Sequence, residues 1–405
     1  MTRKLSPSLD RSSIESIVET LITILKDGNY YGYDPADLMN TEYKFIRSLP
    51  SFMLRFLTQL NFYSPLNLRK ILKVRPGRNT TAMALLTGIS VRMHRLTGKP
   101  IHLSDALFTG DWLLEKAAET GPGSIGWTRE IEYQSSRSTR HTSVRTLTFI
   151  NSLAIKALVE LYRETGKPEY LDAASKAGRH LVEVTPRIVY PYGVCLSYTD
   201  EEKHEILNAS ILAGGALSFL CSFKPSDRAR DLSLDILRYA IHVQNADGSW
   251  HYSRKFGKPF KRQFDFHQCY VIEGISDYEG LSGDISNSAK DAVQKGLDFY
   301  VSTLLDHKMR PYWRYPKKYP IDIHNVSHGL SLLIRHRRDL QESSRMIKGI
   351  LGILINDFYS PFSGRFYYQR YPHLTVRHQF IRWNDCWSLV SLCDLLEAME
   401  LGDLV

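Results

Sequence analysis

"RMHRLTGKPIHLSDALFTGDWLLEKA" (Arg92–Ala117) and "ELYRETGKPEYLDAASKAGRHLVEV" (Glu160–Val184) carry the same Thr-Gly-Lys-Pro between two stretches of helical period. Gly98 and Gly166 suit the left-handed position that ends a helix, where a Cβ is penalised. Pro100 and Pro168 lack the N–H that would continue one. Each TGKP therefore predicts a tight helix-to-helix turn, and the second unit repeats the first. A weaker copy stands at Lys224-Pro225, and the alternation runs on with turns near Gly280 to Asp284 and Arg335 to Asp339.

The first members of these pairs begin near Thr80, Val144, Glu205, Phe266, His324 and Phe380. They are rich in Ala, Gly, Leu and Ser, as helices crowded on all sides should be, whereas the second members carry a stronger polar stripe. Inner and outer helices are implied. The sixth inner helix reaches the chain end without an outer partner, and the amphipathic "SIESIVETLITILKDG" at Ser13 can supply it, closing a ring. An open solenoid is the structural alternative, but it would need polar capping faces that the sequence does not show. Between each outer helix and the next inner one lie segments such as "GSIGWTREIEY", "YPYGVCLSYTD" and "HKMRPYWRYPKKYP", of turn and short-strand composition. With all inner helices running one way, these segments gather at one mouth of the ring, the expected functional face.

Composition agrees with a folded globular chain: of 405 residues, 43% are hydrophobic, 11% aromatic and 23% charged. No Pro-, Ser- or Gly-rich linker divides it, so one domain over residues 1–405 is expected. The amino terminus lacks the apolar core of a secretory signal, and no apolar run is long enough to span a membrane, so the expected location is cytoplasmic. Five cysteines without CxxC spacing read as reduced core residues. The net charge of +9 favours an anionic partner. Nucleic acid is not expected, because no helix-turn-helix, zinc-finger or RNA-binding signature accompanies the basic clusters. P-loop, dinucleotide and GxSxG motifs are missing as well.

Two helix entrances repeat one polar pattern: Asp265-Phe266-His267 in "RQFDFHQCY" and Asp322-Ile323-His324 in "YPIDIHNVS". Asp favours the N-cap, so capping alone can explain each. If both open adjacent inner helices of a ring, however, two carboxylates and two imidazoles converge where general acid/base chemistry needs them. Asp265, His267, Asp322 and His324 are therefore the candidate catalytic residues. The same four could suit a divalent ion, but no metal and no cofactor is expected. Candidate substrate-binding residues are Tyr198 and Asn208 at the third entrance, Arg382, Trp383 and Asp385 at the sixth, Trp127 and Arg129 in the first aromatic segment, and Trp250. Arg beside Trp suits a sugar carboxylate held by a planar fork with a ring stacked alongside. Glu205, Glu130 and Glu132 are similar in kind.

The alternation, "QNADGSWHY" (Gln244–Tyr252) and the inner-helix entrances resemble the six-hairpin, (α/α)6-toroid enzymes, among them glycoside hydrolases, uronate lyases and epimerases. More narrowly, "CLSYTDEEKHEILNAS", "DFHQCYVIEGISDY", "YPIDIHNVSHGL" and "IRWNDCWSLVSL" resemble toroid proteins associated with polysaccharide biosynthesis, over about Trp127 to Leu395. The resemblance implies an all-α (α/α)6 toroid with short aromatic-rich strands and loops at one mouth, in a carbohydrate setting; aromatics interleaved with Arg and Lys in a basic chain point to an anionic saccharide. The implied activity is that of a glycosidase, lyase or epimerase. The alternative is a non-catalytic saccharide-binding or assembly protein in contact with polysaccharide-assembly proteins. Gln244 to Trp250 also fits the Gln-Gly-Trp motif of terpene cyclases, a structural clamp there. No DxDD or diphosphate-binding aspartate motif accompanies it.

Overall fold

The computed structural model describes residues 10–129, 133–134, 140–141, 145–200, 203–255, 258–278 and 280–402. Helix α1 (Arg11–Asp27) is followed by a lobe containing the short α2 (Lys44–Arg47) and α3 (Ser51–Tyr63). Then come the pairs α4 (Thr80–Thr97) and α5 (Pro100–Lys116), α6 (Thr148–Thr165) and α7 (Pro168–Glu183), and α8 (Leu207–Cys221) and α9 (Asp227–His242). Helices α10 (His267–Ser276) and α11 (Gly283–Phe299), α12 (Ile323–Arg335) and α13 (Ser343–Ile353), and finally α14 (Trp387–Glu400) complete the series.

The TGKP turns form as expected. Gly98 and Gly166 sit at φ 67° and 69°, each donating its N–H back to the helix it ends, and Pro100 and Pro168 open the next helix. Helices α4, α6, α8, α10, α12 and α14 pack in sequence around an axis, and α14 returns to α4, so the ring is closed. Arg92 on α4 reaches Asp394 and Glu397 on α14 across that closure. Helix α1 packs on α14 as its outer partner and buries Ile14, Val18, Leu21 and Leu25. The inner helices are buried all round: α8 buries Leu207 through Leu217 without a break. This is the (α/α)6 toroid, with the expected starts displaced by a few residues at most.

Short antiparallel ladders join outer to inner helices at the mouth where the inner helices begin. Arg187–Tyr190 pairs with Gly193–Leu196, His204–Ile206 with Ser253–Lys255, and Ile321–Asp322 with Gln369–Arg370. The sixth inner helix starts as a π-helical stretch, Ile381–Cys386, whose wider turn re-aims the side chains it carries. Lobe residues 29–79 fold across this mouth around their own small core of Leu38, Met39, Ile46 and Leu54. They are anchored by buried charge: Arg69 Nε donates to Asp37 Oδ2 at 2.9 Å, and Arg382 Nε donates to Asp34 Oδ2 at 2.7 Å. The five cysteines form no disulfide, and four are buried. Among the described residues no helix is long and apolar enough to cross a membrane.

Candidate functional site

A cleft of about 300 Å³ opens at the mouth formed by the inner-helix N-termini. It brings together all four expected catalytic residues, Asp265, His267, Asp322 and His324, and with them Arg129, Tyr198, Asn208, Arg382 and Trp383. The two aspartates are held alike. Asp322 is the N-cap of α12: its Oδ1 accepts the His324 N–H at 3.0 Å, and its Oδ2 accepts the Gln369 amide at 2.8 Å. Asp265 Oδ1 accepts the His267 N–H at 3.1 Å, and its Oδ2 accepts the Gln263 amide at 2.7 Å.

Their second Oδ1 partners differ. At Asp265 it is His267 Nδ1, at 2.5 Å; at Asp322 it is the Trp383 indole N–H, at 2.8 Å. Burial raises both carboxyl pKa values, but at Asp265 the charge and hydrogen bonds of His267 outweigh it and the pKa falls below the ordinary value. At Asp322 burial wins over neutral donors and pushes the pKa up to about 6. The two carboxyls thus differ in protonation between about pH 4 and 6, where Asp322 holds its proton and Asp265 is ionised.

The two histidines also part ways. His267 is partly exposed in the cleft, and its Nε2 has no hydrogen-bond partner among the described residues. His324 is buried, its Nδ1 at 3.4 Å from the Trp383 carbonyl and its Nε2 at 3.2 Å from the Tyr270 hydroxyl. Burial, with His328 and Arg382 nearby, holds its pKa well below the ordinary value. His324 is therefore a neutral, fully engaged ring stacked on Trp383 at 4.1 Å between centroids. Sequence reading passed over the i, i+4 spacing of His324 and His328, whose rings lie 4.5 Å apart. They belong to a layer of aromatic rings that also contains Tyr270 and Trp387, and among the described residues no group of three His, Cys, Asp or Glu side chains could hold a metal ion.

Three expected binding residues are corrected. Trp127 is fully buried, donating its indole N–H to the Leu113 carbonyl at 2.8 Å, so it is a core residue under the mouth. Trp250 is likewise buried, bonded through its indole to Ala240 O at 2.8 Å. Gln244 clamps the turn above it by donating to Gly248 O and Ala292 O, both at 2.9 Å, which is the structural role its motif suggested. Asp385 points away from the cleft and is buried against Arg365. Glu205 is also withdrawn, held by Arg254 at 2.9 Å and by the Tyr190 hydroxyl at 2.8 Å. Glu130 and Glu132 lie outside the described residues.

The structure adds residues that sequence reading missed. Lys261, Arg314 and the rings of Tyr63, Phe266 and Trp313 line the cleft. Asp34, behind it, pairs with Arg382 and Arg129; burial raises its pKa, but the two cations prevail and hold it at about 2. Asn208 Oδ1 is buried without a hydrogen-bond partner among the described residues, an acceptor facing the site. Gln263 carried a signal, standing two residues before Asp265. Gln369 and Asp34, distant in sequence, carried none.

A second cavity of about 580 Å³ opens at the opposite end of the axis, beyond His328 and Trp387. Glu273 lines it and makes no hydrogen bond or ion pair among the described residues; burial, only partly offset by Arg335, raises its pKa to about 8.

The sequence matches no protein-family model and no curated protein. Solved structures do match the fold. Cellobiose 2-epimerase from Bacillus thermoamylovorans aligns with a TM-score of 0.65 at 12% identity, over 79% of this chain and 88% of that one. An unsaturated glucuronyl hydrolase specific for heparin aligns at 0.62 and 10% identity, over 98% and 99%. The GH76 α-mannanase of Bacteroides thetaiotaomicron aligns at 0.59 and 10% identity, over 80% and 87%. The likeness is one of fold.

Proposed function

We propose that this toroid is a carbohydrate-active enzyme that performs acid/base chemistry on an anionic saccharide of polysaccharide or glycoconjugate metabolism. The observation that carries the proposal is the divergence of two like-placed carboxyls in one cleft: Asp265, ionised and bound to His267, and Asp322, buried and readily protonated. Asp265 fixes the imidazole through Nδ1, which leaves Nε2 to take a proton from the substrate or a water. Asp322 gives its proton to the departing or newly formed oxygen. His324, neutral, positions Trp383 and Tyr270 and relays no proton. Arg129, Lys261, Arg314 and Arg382 supply cations for a carboxylate or sulfate, and Phe266 and Trp383 offer faces for a sugar ring. The epimerase, hydrolase and mannanase folds agree with this setting without selecting among glycosidase, lyase and epimerase.

The test is a panel of uronate-containing and neutral oligosaccharides, with binding measured by calorimetry and products by NMR. Turnover of a uronate substrate, lost in Asp265→Asn and with affinity reduced in Arg314→Gln, is the expected result. Turnover that ignores both substitutions, or binding of neutral sugars alone, overturns the proposal. A saccharide-binding assembly protein is the second reading, favoured by the complete hydrogen bonding of both aspartates. It predicts uronate binding with no product under any condition.

A further inference from the structure

Helix α3 turns a large apolar face to water. Leu54, Thr58 and Asn61 face inward, and Asn61 Nδ2 donates to Asp37 Oδ1 at 3.2 Å, inside the buried Asp37–Arg69 network. On the opposite side of the same helix, at i, i+4 and i+8, stand Phe52 (61% exposed), Phe56 (65%) and Leu60 (42%), flanked by Met53 and Tyr63. At the roughly 200 Å² that a large aromatic side chain presents, these five expose on the order of 500 Å². That is the upper range of the largest apolar patch on a monomer, which marks an interaction site. Phe45, Leu66 and Ile71 of the same lobe are exposed as well, at 65%, 70% and 71%.

The charge around this face has one sign. From Tyr43 to Asn79 the chain contains no Asp or Glu, against eight Lys and Arg. Lys44, Arg47, Arg55, Lys70 and Lys73 are exposed and make no ion pair among the described residues. Long apolar side chains bordered by cations on flexible stems are what an anionic lipid surface receives: the rings enter the acyl boundary, and the ammonium and guanidinium groups meet the headgroup phosphates. Phe62 and Tyr63, at the carboxyl end of α3, also line the catalytic-mouth cleft, so the face and the cleft share an edge.

We propose that the α3 lobe docks this protein peripherally on an anionic bilayer, with the mouth of the toroid beside the lipid surface. The docking is independent of which reaction the cleft performs. Its geometry suits a saccharide carried on a lipid, whose sugar would stand at the mouth while its anchor stays in the membrane.

The experiment is co-sedimentation of the full chain with vesicles of phosphatidylcholine alone and with roughly a third phosphatidylglycerol. Binding is expected to the second kind only, and to weaken steeply as salt rises. The double substitution Phe52→Ser/Phe56→Ser should reduce binding at least about tenfold, and so should Arg55→Glu/Lys70→Glu, with circular-dichroism melting unchanged because all four side chains point to solvent. Val189→Ser, at an exposed apolar position elsewhere, should bind as the parent does. Equal binding to both vesicles, or binding indifferent to both double substitutions, overturns the proposal. So does a concentration-dependent dimer in sedimentation equilibrium that Phe52→Ser/Phe56→Ser abolishes while vesicles fail to bind, since the face would then belong to a second copy of the chain.

Discussion

Asp322 separates proton chemistry from capping through the substitutions Asp322→Ala and Asp322→Asn. Its carboxyl accepts three donors, the His324 N–H at 3.0 Å and the Gln369 amide and Trp383 indole at 2.8 Å each. Ala orphans all of them in a buried site. Losing the cap costs about 1 kcal/mol, and each of the two stranded side-chain donors about 1 to 3, for a total of about 3 to 7 kcal/mol. Asn retains an oxygen for His324 and Trp383 and can meet a turned Gln369 amide with its own, so most of that cost is spared. The pH dependence sharpens the comparison. A carboxyl raised from 3.8 to about 6 in the folded state contributes stability at pH below about 4 that is lost as pH rises to 6 and above. The parent should therefore lose on the order of 3 kcal/mol from this group between pH 4 and 7, and Asp322→Asn should not. Urea unfolding at pH 4.5 and 7.5 measures the difference: the Asn variant should gain on the parent as pH rises. On a turned-over saccharide, Asn should lower kcat at least about a hundredfold, and the fall of parental kcat/KM above pH 6 should vanish. A stability gap between Asn and parent that is flat with pH, together with undiminished turnover, would refute the assignment of Asp322 as the acid.

Asp265→Asn should leave the chain folded but free the His267 ring, with kcat falling at least about a hundredfold and KM changing little. Steady-state kinetics showing the reverse split would reassign Asp265 to binding. Glu273, raised to about 8, likewise contributes stability that is complete below pH 4.5 and lost as pH rises through 8. Glu273→Gln should therefore be more stable than the parent at pH 9 by a few kcal/mol and nearly equal at pH 4.5, as judged by denaturant melts. Trp250→Phe removes the bond to the Ala240 carbonyl and should cost about 1 to 3 kcal/mol with saccharide affinity unchanged, because that indole belongs to the clamp and not to the cleft.

What could be read from the sequence was what neighbouring residues decide. Gly98-Lys99-Pro100 and Gly166-Lys167-Pro168 determine their turns by local backbone chemistry, and the repeat of those turns implies the ring. Nine of the proposed site residues reach the cleft because they stand at inner-helix starts or in the segments that lead to them, which the closed ring gathers at one mouth. Trp127 and Trp250 failed as binding residues because a Trp in a Gly-rich connection looks the same in sequence whether it faces sugar or core. Asp385 failed because the π-helical turn sends Arg382 and Trp383 to the cleft and Asp385 back to Arg365, a register that α-helical period does not foresee. The lobe before α4 was illegible for a different reason. It is fastened by Asp34 to Arg382 across 348 residues of sequence and by Asp37 to Arg69, and no local pattern encodes such pairs.

Capping and chemistry are not rivals at the paired entrances. The bonds that seat Asp322 on its helix end also bury it, and burial is what raises its pKa; a surface cap would titrate with the ordinary carboxylates. Asp265 takes the same two supports, an N–H two residues ahead and a glutamine amide, yet it goes the opposite way. The difference lies in the third donor. His267 turns its Nδ1 back onto Asp265 and can carry charge, whereas His324 turns towards Tyr270 and the Trp383 carbonyl and leaves Asp322 to a neutral indole. One repeated Asp-x-His thus yields an ionised carboxylate coupled to an available imidazole at one helix and a protonatable acid at the next. Repetition supplies the matched positions, and the orientation of a single ring in each copy sends the two carboxyl pKa values in opposite directions.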